Sequence, residues 1–203
     1  MIRLAREGAL WRATIDRPDK ANSLTAQMLG ELADFAEQAH GAAQVFVLGG
    51  TGKVFSAGAD LAEAPKGLAV SPLWERLSAA IAGLPCLTIA ALNGTLAGGA
   101  FGMALACDLR IAAPHAKFFY PVMKLGFLPQ PSDPARLSAL VGPARAKLIL
   151  MGGANLTAAD ALAFGLIDQI VAADAMQDHI AQISADALAA SPAHVAAIKG
   201  MIA

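Results

Sequence analysis

The chain has 203 residues, 56% of them apolar and only 15% charged, with a formal net charge of −1. That length supports one sizeable domain, and the apolar content calls for a large buried core or for surface covered in an oligomer. The charge balance excludes the basic footprint of a nucleic-acid or anionic-membrane binder. Cys86 and Cys107 are too few for a disulfide framework and read as reduced core residues. The histidines, His40, His115, His179 and His194, are scattered, and no metal-ligand spacing is present. Met1-Ile2-Arg3-Leu4 lacks the anatomy of a signal peptide, so a cytoplasmic, soluble protein is expected.

In chain order, residues 10–15 partly alternate apolar with polar and predict a strand, broken by Asp16-Arg17-Pro18-Asp19-Lys20. Thr25 is a good N-cap, and Met28, Leu29, Leu32, Phe35 and Ala36 recur at helical spacing up to about His40. Residues 45–48 form a short buried strand that enters a glycine-rich segment, Gly49-Gly50-Thr51-Gly52-Lys53-Val54-Phe55-Ser56-Ala57-Gly58-Ala59-Asp60-Leu61. A loop over 65–72 and a helix over 74–82 follow. A second buried strand, 86–92, enters Asn93-Gly94-Thr95-Leu96-Ala97-Gly98-Gly99-Ala100-Phe101-Gly102-Met103-Ala104-Leu105-Ala106-Cys107-Asp108. The uncharged run from 85 to 107 is long enough to raise a membrane span. The Asn93-Gly94 turn in its middle and its many small residues favour a buried strand followed by a tightly packed helix over 98–106.

Strands are predicted over 109–112 and 117–120, and then an irregular loop marked by Pro129, Pro131 and Pro134. Helices follow at about 134–141, 143–151 and 157–164, the last stopped by Gly165. A short strand over 166–171 and helices over 174–190 and from 192 onward complete the chain. Alternating strands and helices predict an α/β domain with covered sheets, with no linker to divide it.

Each glycine segment reads as a strand, a small-residue turn and a helix start. Such a turn leaves backbone N–H groups free to bind an anion or a developing oxyanion. Alone, each is also compatible with simple close packing. Neither has the spacing of a P-loop or of a dinucleotide fingerprint.

With their flanks, the segments resemble the enoyl-CoA hydratase/isomerase (crotonase) superfamily over nearly the whole chain. Arg17-Pro18-Asp19-Lys20-Ala21-Asn22-Ser23-Leu24 resembles its N-terminal signature, and Phe55-Ser56-Ala57-Gly58-Ala59-Asp60-Leu61 its first oxyanion segment. Asn93-Gly94 through Gly98-Gly99-Ala100 to Cys107-Asp108 resembles its second. Phe118, Pro121, Leu125-Gly126 and Pro129 track the next stretch, and Leu156-Thr157-Ala158-Ala159-Asp160-Ala161 with Gly165-Leu166-Ile167-Asp168 its late helix and strand. The resemblance implies a single crotonase-like (ClpP-like) α/β domain over 1–203, with a spiral core of repeated β-β-α units over 1–190 and a truncated C-terminal helix over 191–203. It implies an acyl-CoA substrate, CoA being part of the substrate rather than a bound cofactor. The thioester oxygen would be held by the Ala59 and Gly99 amides. CoA would lie near Lys20, Ala21 and Asn22 and along Ala57, Gly58, Asp60, Leu61 and Gly98. Asp60 has an equal reading as the cap of a short helix. The resemblance also implies a homo-oligomer, a trimer or hexamer, although the chain stops short of the family's further C-terminal helices.

Two positions depart from the pattern. Hydratases of the family carry two glutamates; at those positions this chain has Gly102 and Val122, which cannot transfer a proton. Tyr120, Lys124 and Asp133 are polar residues on the segment that, by the resemblance, borders the acyl pocket. Asp133 is the first candidate acid/base there and Tyr120 the second. The plainer readings, which the sequence favours, are a capping or solvated Asp133, a packed Tyr120 and a solvated Lys124. The function expected is an acyl-CoA enzyme of the lyase or isomerase class, an isomerase, decarboxylase or hydrolase before a true hydratase. The alternative is a non-catalytic acyl-CoA-binding or assembly subunit.

Overall fold

A computed structural model describes residues 1–202; the last residue of the expected C-terminal helix, Ala203, lies outside the described residues. The chain opens with a hairpin, β1 (Ile2–Glu7) and β2 (Leu10–Ile15), turned at Gly8 with φ +62°. In β2, Trp11, Ala13 and Ile15 are buried on one face, while Leu10, Arg12 and Thr14 take the other. Thr25 caps α1 (Ala26–Ala39), accepting the Met28 N–H at 3.2 Å. Helix α1 buries Met28, Leu29, Leu32 and Phe35 against that sheet face. Phe35 stands between Trp11 and Phe46, with ring centroids 5.0 and 5.9 Å away.

The chain then passes three times from one sheet to another. Strand β3 (Val45–Gly50) leads to β4 (Val54–Ser56). After α2 (Leu73–Ala82), β5 (Leu87–Leu92) leads to β6 (Thr95–Ala97). After α3 (Phe101–Leu105), β7 (Leu109–Ala112) leads to β8 (Lys117–Phe119). Helices α4 (Val122–Leu125), α5 (Asp133–Val141) and α6 (Pro143–Leu150) precede β9 (Leu156–Thr157) and α7 (Ala158–Phe164). Strand β10 (Gln169–Ile170), α8 (Met176–Ala189) and α9 (Pro192–Ile202) complete the order. The larger sheet runs β1-β2-β3-β5-β7-β10 and is parallel except for the first hairpin. The smaller runs β4-β6-β8-β9, with β4, β6 and β8 parallel.

This topology sets the two glycine turns side by side. Both leave neighbouring parallel strands, β4 and β6, in the same direction. Gly94 locks them together: a Cβ there would stand 1.9 Å from the Lys53 carbonyl oxygen.

Several expectations change. The first strand, Ile-Arg-Leu-Ala-Arg-Glu, escapes the sequence reading because it is a largely exposed edge with half its residues charged. In the small sheet, β8 matches the strand expected over 117–120, while β4, β6 and β9 escape the reading because two or three residues carry no readable period. The helix expected over 98–106 is a 3-10 turn, Gly98–Ala100, followed by α3. The loop over 65–72 contains two 3-10 turns, Ala64–Lys66 and Leu68–Val70. The strand over 166–171 shrinks to Gln169–Ile170. Cys86 and Cys107 are free and buried, and burial pushes their thiols up to about 11 and about 12. No helix among the described residues is long and apolar enough to cross a membrane.

Candidate active site

The first turn is held by the N-terminal signature. Asn22 sits in the left-handed region (φ +53°) and is fully buried. Its Oδ1 accepts the Arg17 N–H at 2.8 Å, and its Nδ2 donates to the Thr51 and Val54 carbonyls at 2.9 and 2.6 Å. The Ser56 hydroxyl donates to the Asn22 carbonyl at 2.8 Å and accepts the Gly58 N–H at 3.2 Å. Arg17 donates to Asp60 Oδ2 at 2.6 Å, while Asp60 Oδ1 accepts the Ala62 N–H at 2.9 Å. The Arg17 guanidinium, helped by that amide, holds the Asp60 carboxyl below the usual carboxylate range.

Leu24 pairs with Ala59 in a single parallel bridge. The Leu24 N–H donates to the Gly58 carbonyl at 2.8 Å and the Asp60 N–H to the Leu24 carbonyl at 2.9 Å. This pattern turns the Ala59 amide away from its partner strand, and it has no acceptor among the described residues.

The second turn begins at Gly98 (φ +58°), where a 3-10 turn runs into α3. Gly99 lies in the first turn of this helical stretch, so its N–H also has no acceptor among the described residues. A Cβ at Gly58 would lie 3.0 Å from the Ala97 carbonyl oxygen and 3.4 Å from the Gly99 nitrogen. The turns therefore meet backbone to backbone. A Cβ at Gly99 would come within 3.2 Å of the Trp74 ring, which the Nε1–H bond to the Leu68 carbonyl (2.8 Å) fixes in place.

A cavity of about 220 Å³ opens beside the turns, with Ala59 and Gly99 in its lining. Trp74, Tyr120, Val122, Phe127 and Leu128 contribute further walls, and no charged side chain lines it. A larger cavity of about 880 Å³ lies away from the turns, between α8, α9 and the leading ends of β5 and β7, with Asp108, Asp186 and Lys199 in its lining.

Tyr120, one of the walls of the smaller cavity, belongs to a buried polar pair whose other member, Asp133, does not line that cavity. The Tyr120 hydroxyl donates to Asp133 Oδ2 at 2.8 Å and accepts the Gln130 N–H at 3.3 Å. Tyr120 stacks on Phe101, centroids 5.2 Å apart. Asp133 is fully buried, and its Oδ1 has no hydrogen-bond partner. A Cβ at Gly102 would lie 2.8 Å from that Oδ1. Burial pushes the Asp133 carboxyl up to about 6 against the opposing Tyr120 bond and Arg136 charge. Burial, with the neighbouring Asp133 charge, also raises the Tyr120 hydroxyl.

The structure thus brings together Ala59 with Gly99, and Tyr120 with Asp133. Ala57, Leu61 and Gly98 line the same cavity, while Lys20 is exposed. Two plainer readings are corrected. Asp133 is neither a cap nor solvated: Ser132 holds the N-cap position of α5, and Asp133 is sealed beneath Tyr120. Tyr120 does more than pack, because its hydroxyl is committed to Asp133. Lys124 is exposed, as expected. Asn22, expected beside CoA, spends its side chain inside the fold, and the Asp60 carboxylate is engaged by Arg17 and Ala62. Trp74, Phe127, Leu128 and Gln130 were missed; nothing in their local sequence distinguishes them from ordinary helix or loop residues.

Parallel strands crossing from a large sheet to a small one, with two glycine turns meeting over an apolar cavity, define a crotonase-type α/β fold. The chain belongs to the enoyl-CoA hydratase/isomerase family, whose pattern it matches over residues 5–203. It is 35% identical to the carnitinyl-CoA dehydratase of Salmonella arizonae, across 98% of this chain and 78% of that one. It is 34% identical to a probable enoyl-CoA hydratase of Mycobacterium bovis, across 84% and 70%. The crystal structure of an enoyl-CoA hydratase from Bacillus anthracis superposes with a TM-score of 0.90 at 28% identity, covering 99% of this chain and 81% of that one.

Proposed function

We propose that this protein binds an acyl-CoA with its thioester oxygen on the Ala59 and Gly99 amides, and turns it over through an enolate or tetrahedral oxyanion. The supporting observation is the pair of acceptor-free amides on two turns in backbone contact. Fixed dipoles in an apolar cavity stabilise developing negative charge, and one such donor is worth ~10²–10³ in rate. The Gly99 amide also stands at the positive end of the α3 helical stretch. CoA would run past Lys20 and Ala21, along the backbone at Asn22, and over Ala57, Gly58, Asp60, Leu61 and Gly98. The uncharged cavity suits an apolar acyl group. With glycine at 102 and valine at 122, isomerisation, decarboxylation or thioester hydrolysis fits better than hydration.

The test is the pair Gly99→Pro and Gly99→Ala. Both put a carbon against Trp74, but only proline removes the N–H donor. A conjugated acyl-CoA bound to wild-type protein should show a red-shifted absorbance as its carbonyl is polarised. Alanine should keep most of that shift and proline should lose it; a folded Gly99→Pro variant with full shift and turnover would sink the assignment.

The uncharged cavity also favours a second reading, a non-catalytic acyl-CoA-binding subunit. Calorimetric binding across an acyl-CoA panel with no product from any member would select it.

A further inference from the structure

We propose, resting on the oxyanion reading above, that the Tyr120 hydroxyl exchanges a proton with the substrate α-carbon and that Asp133 is the positioning residue behind it, holding that proton between steps.

Three observations meet here. Tyr120 is a wall of the cavity whose lining includes Ala59 and Gly99, so its ring is beside the place where an acyl chain would lie. Among the described residues it is also the lining residue with an ionisable side chain, since no carboxylate, histidine or lysine lines that cavity. Its hydroxyl is bonded at 2.8 Å to a carboxyl with no exposed surface. That carboxyl keeps one oxygen unpaired, an expensive arrangement that calls for a purpose. The space for it exists because position 102 has no side chain.

The proton balance closes within these groups. The α-carbon C–H bond breaks, and its electron pair enters the enolate whose oxygen rests on the Ala59 and Gly99 amides. The proton bonds to the Tyr120 oxygen as the phenolic proton crosses to Asp133 Oδ2. Tyrosine is left neutral and Asp133 protonated. The reverse transfer returns a proton to carbon, at the same position for exchange or at the γ-carbon for a double-bond shift. No water has to be activated, consistent with a cavity lacking a second titratable group.

The charges facing Asp133 fit a reversible proton store. Arg136, one turn along α5, favours the ionised form, and Glu75, from α2, opposes it. Glu75 is itself held by the Ser132 N–H at 3.2 Å and by the Ser132 hydroxyl. Burial is the dominant effect and brings the carboxyl to about 6, where it can take and release a proton near neutrality.

The probe is trans-3-hexenoyl-CoA in D2O, with deuterium at the α-carbon read by mass spectrometry and binding by calorimetry. Wild-type protein should incorporate α-deuterium, at a rate rising with pH as Asp133 ionises. Tyr120→Phe and Asp133→Asn should slow incorporation about 10²-fold or more. They should leave affinity and the red shift of a bound conjugated acyl-CoA nearly unchanged, which a merely structural role would not do. Asp133→Asn should also lose the pH-dependent limb. Should that variant not fold, Tyr120→Phe and the wild-type pH profile decide. Exchange at the wild-type rate in Tyr120→Phe overturns the proposal, and so does wild-type protein that polarises the thioester yet exchanges no α-proton. Absence of the red shift in wild-type protein instead overturns the oxyanion reading, and with it the enolate this pair would serve.

Discussion

Asp133 occupies the space that any side chain at Gly102 would need. A Cβ built on Gly102 falls 2.8 Å from Asp133 Oδ1 and 3.4 Å from Oδ2. The glycine on α3 and the carboxyl at the start of α5 are therefore one feature of the core.

The first prediction separates that coupling from ordinary glycine loss. Gly102→Ala must displace a carboxyl fixed by Tyr120, at a cost of about 1–3 kcal/mol, as overpacking usually has. Asp133→Ala alone should also destabilise, leaving a cavity beneath the Tyr120 hydroxyl. Because the residues share one space, the double variant should be more stable than the sum of the two singles predicts, by about 0.5–3 kcal/mol. Denaturant melts of all four proteins give that term, and strict additivity would refute the contact.

Burial also makes Asp133 a pH-dependent cost. Its folded-state value, about 6, lies above the ordinary 3.8, so the folded protein binds more protons between those values. Wild-type stability should consequently fall as pH rises from about 4 to about 6, by an amount on the order of 3 kcal/mol if the whole shift is realised. Asp133→Asn keeps the shape without the charge. It should be more stable than wild type above pH 6 and lose that advantage below pH 4. Thermal melts from pH 4 to 8 test this; a wild-type minus variant difference that does not change with pH would contradict it.

Much of this architecture was legible in the sequence, and the reasons are specific. Amphipathic α1 and the buried strands β3 and β5 have periods long enough to read, and the two glycine turns stood out by composition. The free amides at Ala59 and Gly99 followed from the family resemblance. Two things were not legible. Strands β4 and β6 are too short to carry a pattern, so the reason the turns meet was hidden. The fate of Asp133 depends on a residue far along the chain: Gly102 reveals a missing group, but only packing reveals what fills it. Asn22 and Asp60 are a different case. The resemblance implied CoA beside them, and their polar side-chain atoms are engaged in building the first turn.

That engagement is testable through acid. Arg17 holds the Asp60 carboxyl below its ordinary 3.8, so the ion pair contributes stability above that pH and loses it as pH falls through the folded-state value. Asp60→Asn should be less stable than wild type at pH 5–7, with the gap narrowing below pH 4. Because Arg17 anchors the turn that carries Ala59, acyl-CoA affinity should weaken in the same variant. Melting temperatures across that range would show the narrowing, and a gap that widens at low pH would remove the ion pair from the account.

Gly94 offers the sharpest stability prediction. An alanine methyl would sit 1.9 Å from the Lys53 carbonyl oxygen, 2.5 Å from its carbon and 3.0 Å from the Val54 nitrogen. All three are backbone atoms, so no side chain can swing aside; only separation of the leading ends of β4 and β6 relieves the clash. Gly94→Ala should cost on the order of 3 kcal/mol or more, lowering Tm by about 6–12 °C for a chain of this size. Prising β4 from β6 also disturbs the two turns that leave their far ends, so the variant should lose acyl-CoA affinity even where it stays folded. Gly30→Ala is the control. Gly30 lies within α1, and its added methyl meets nothing within 4 Å. There the exchange removes a poor helix former and should raise stability by up to about 1 kcal/mol. Opposite signs at the two glycines would tie the Gly94 effect to the contact with Lys53; equal destabilisation at both would not.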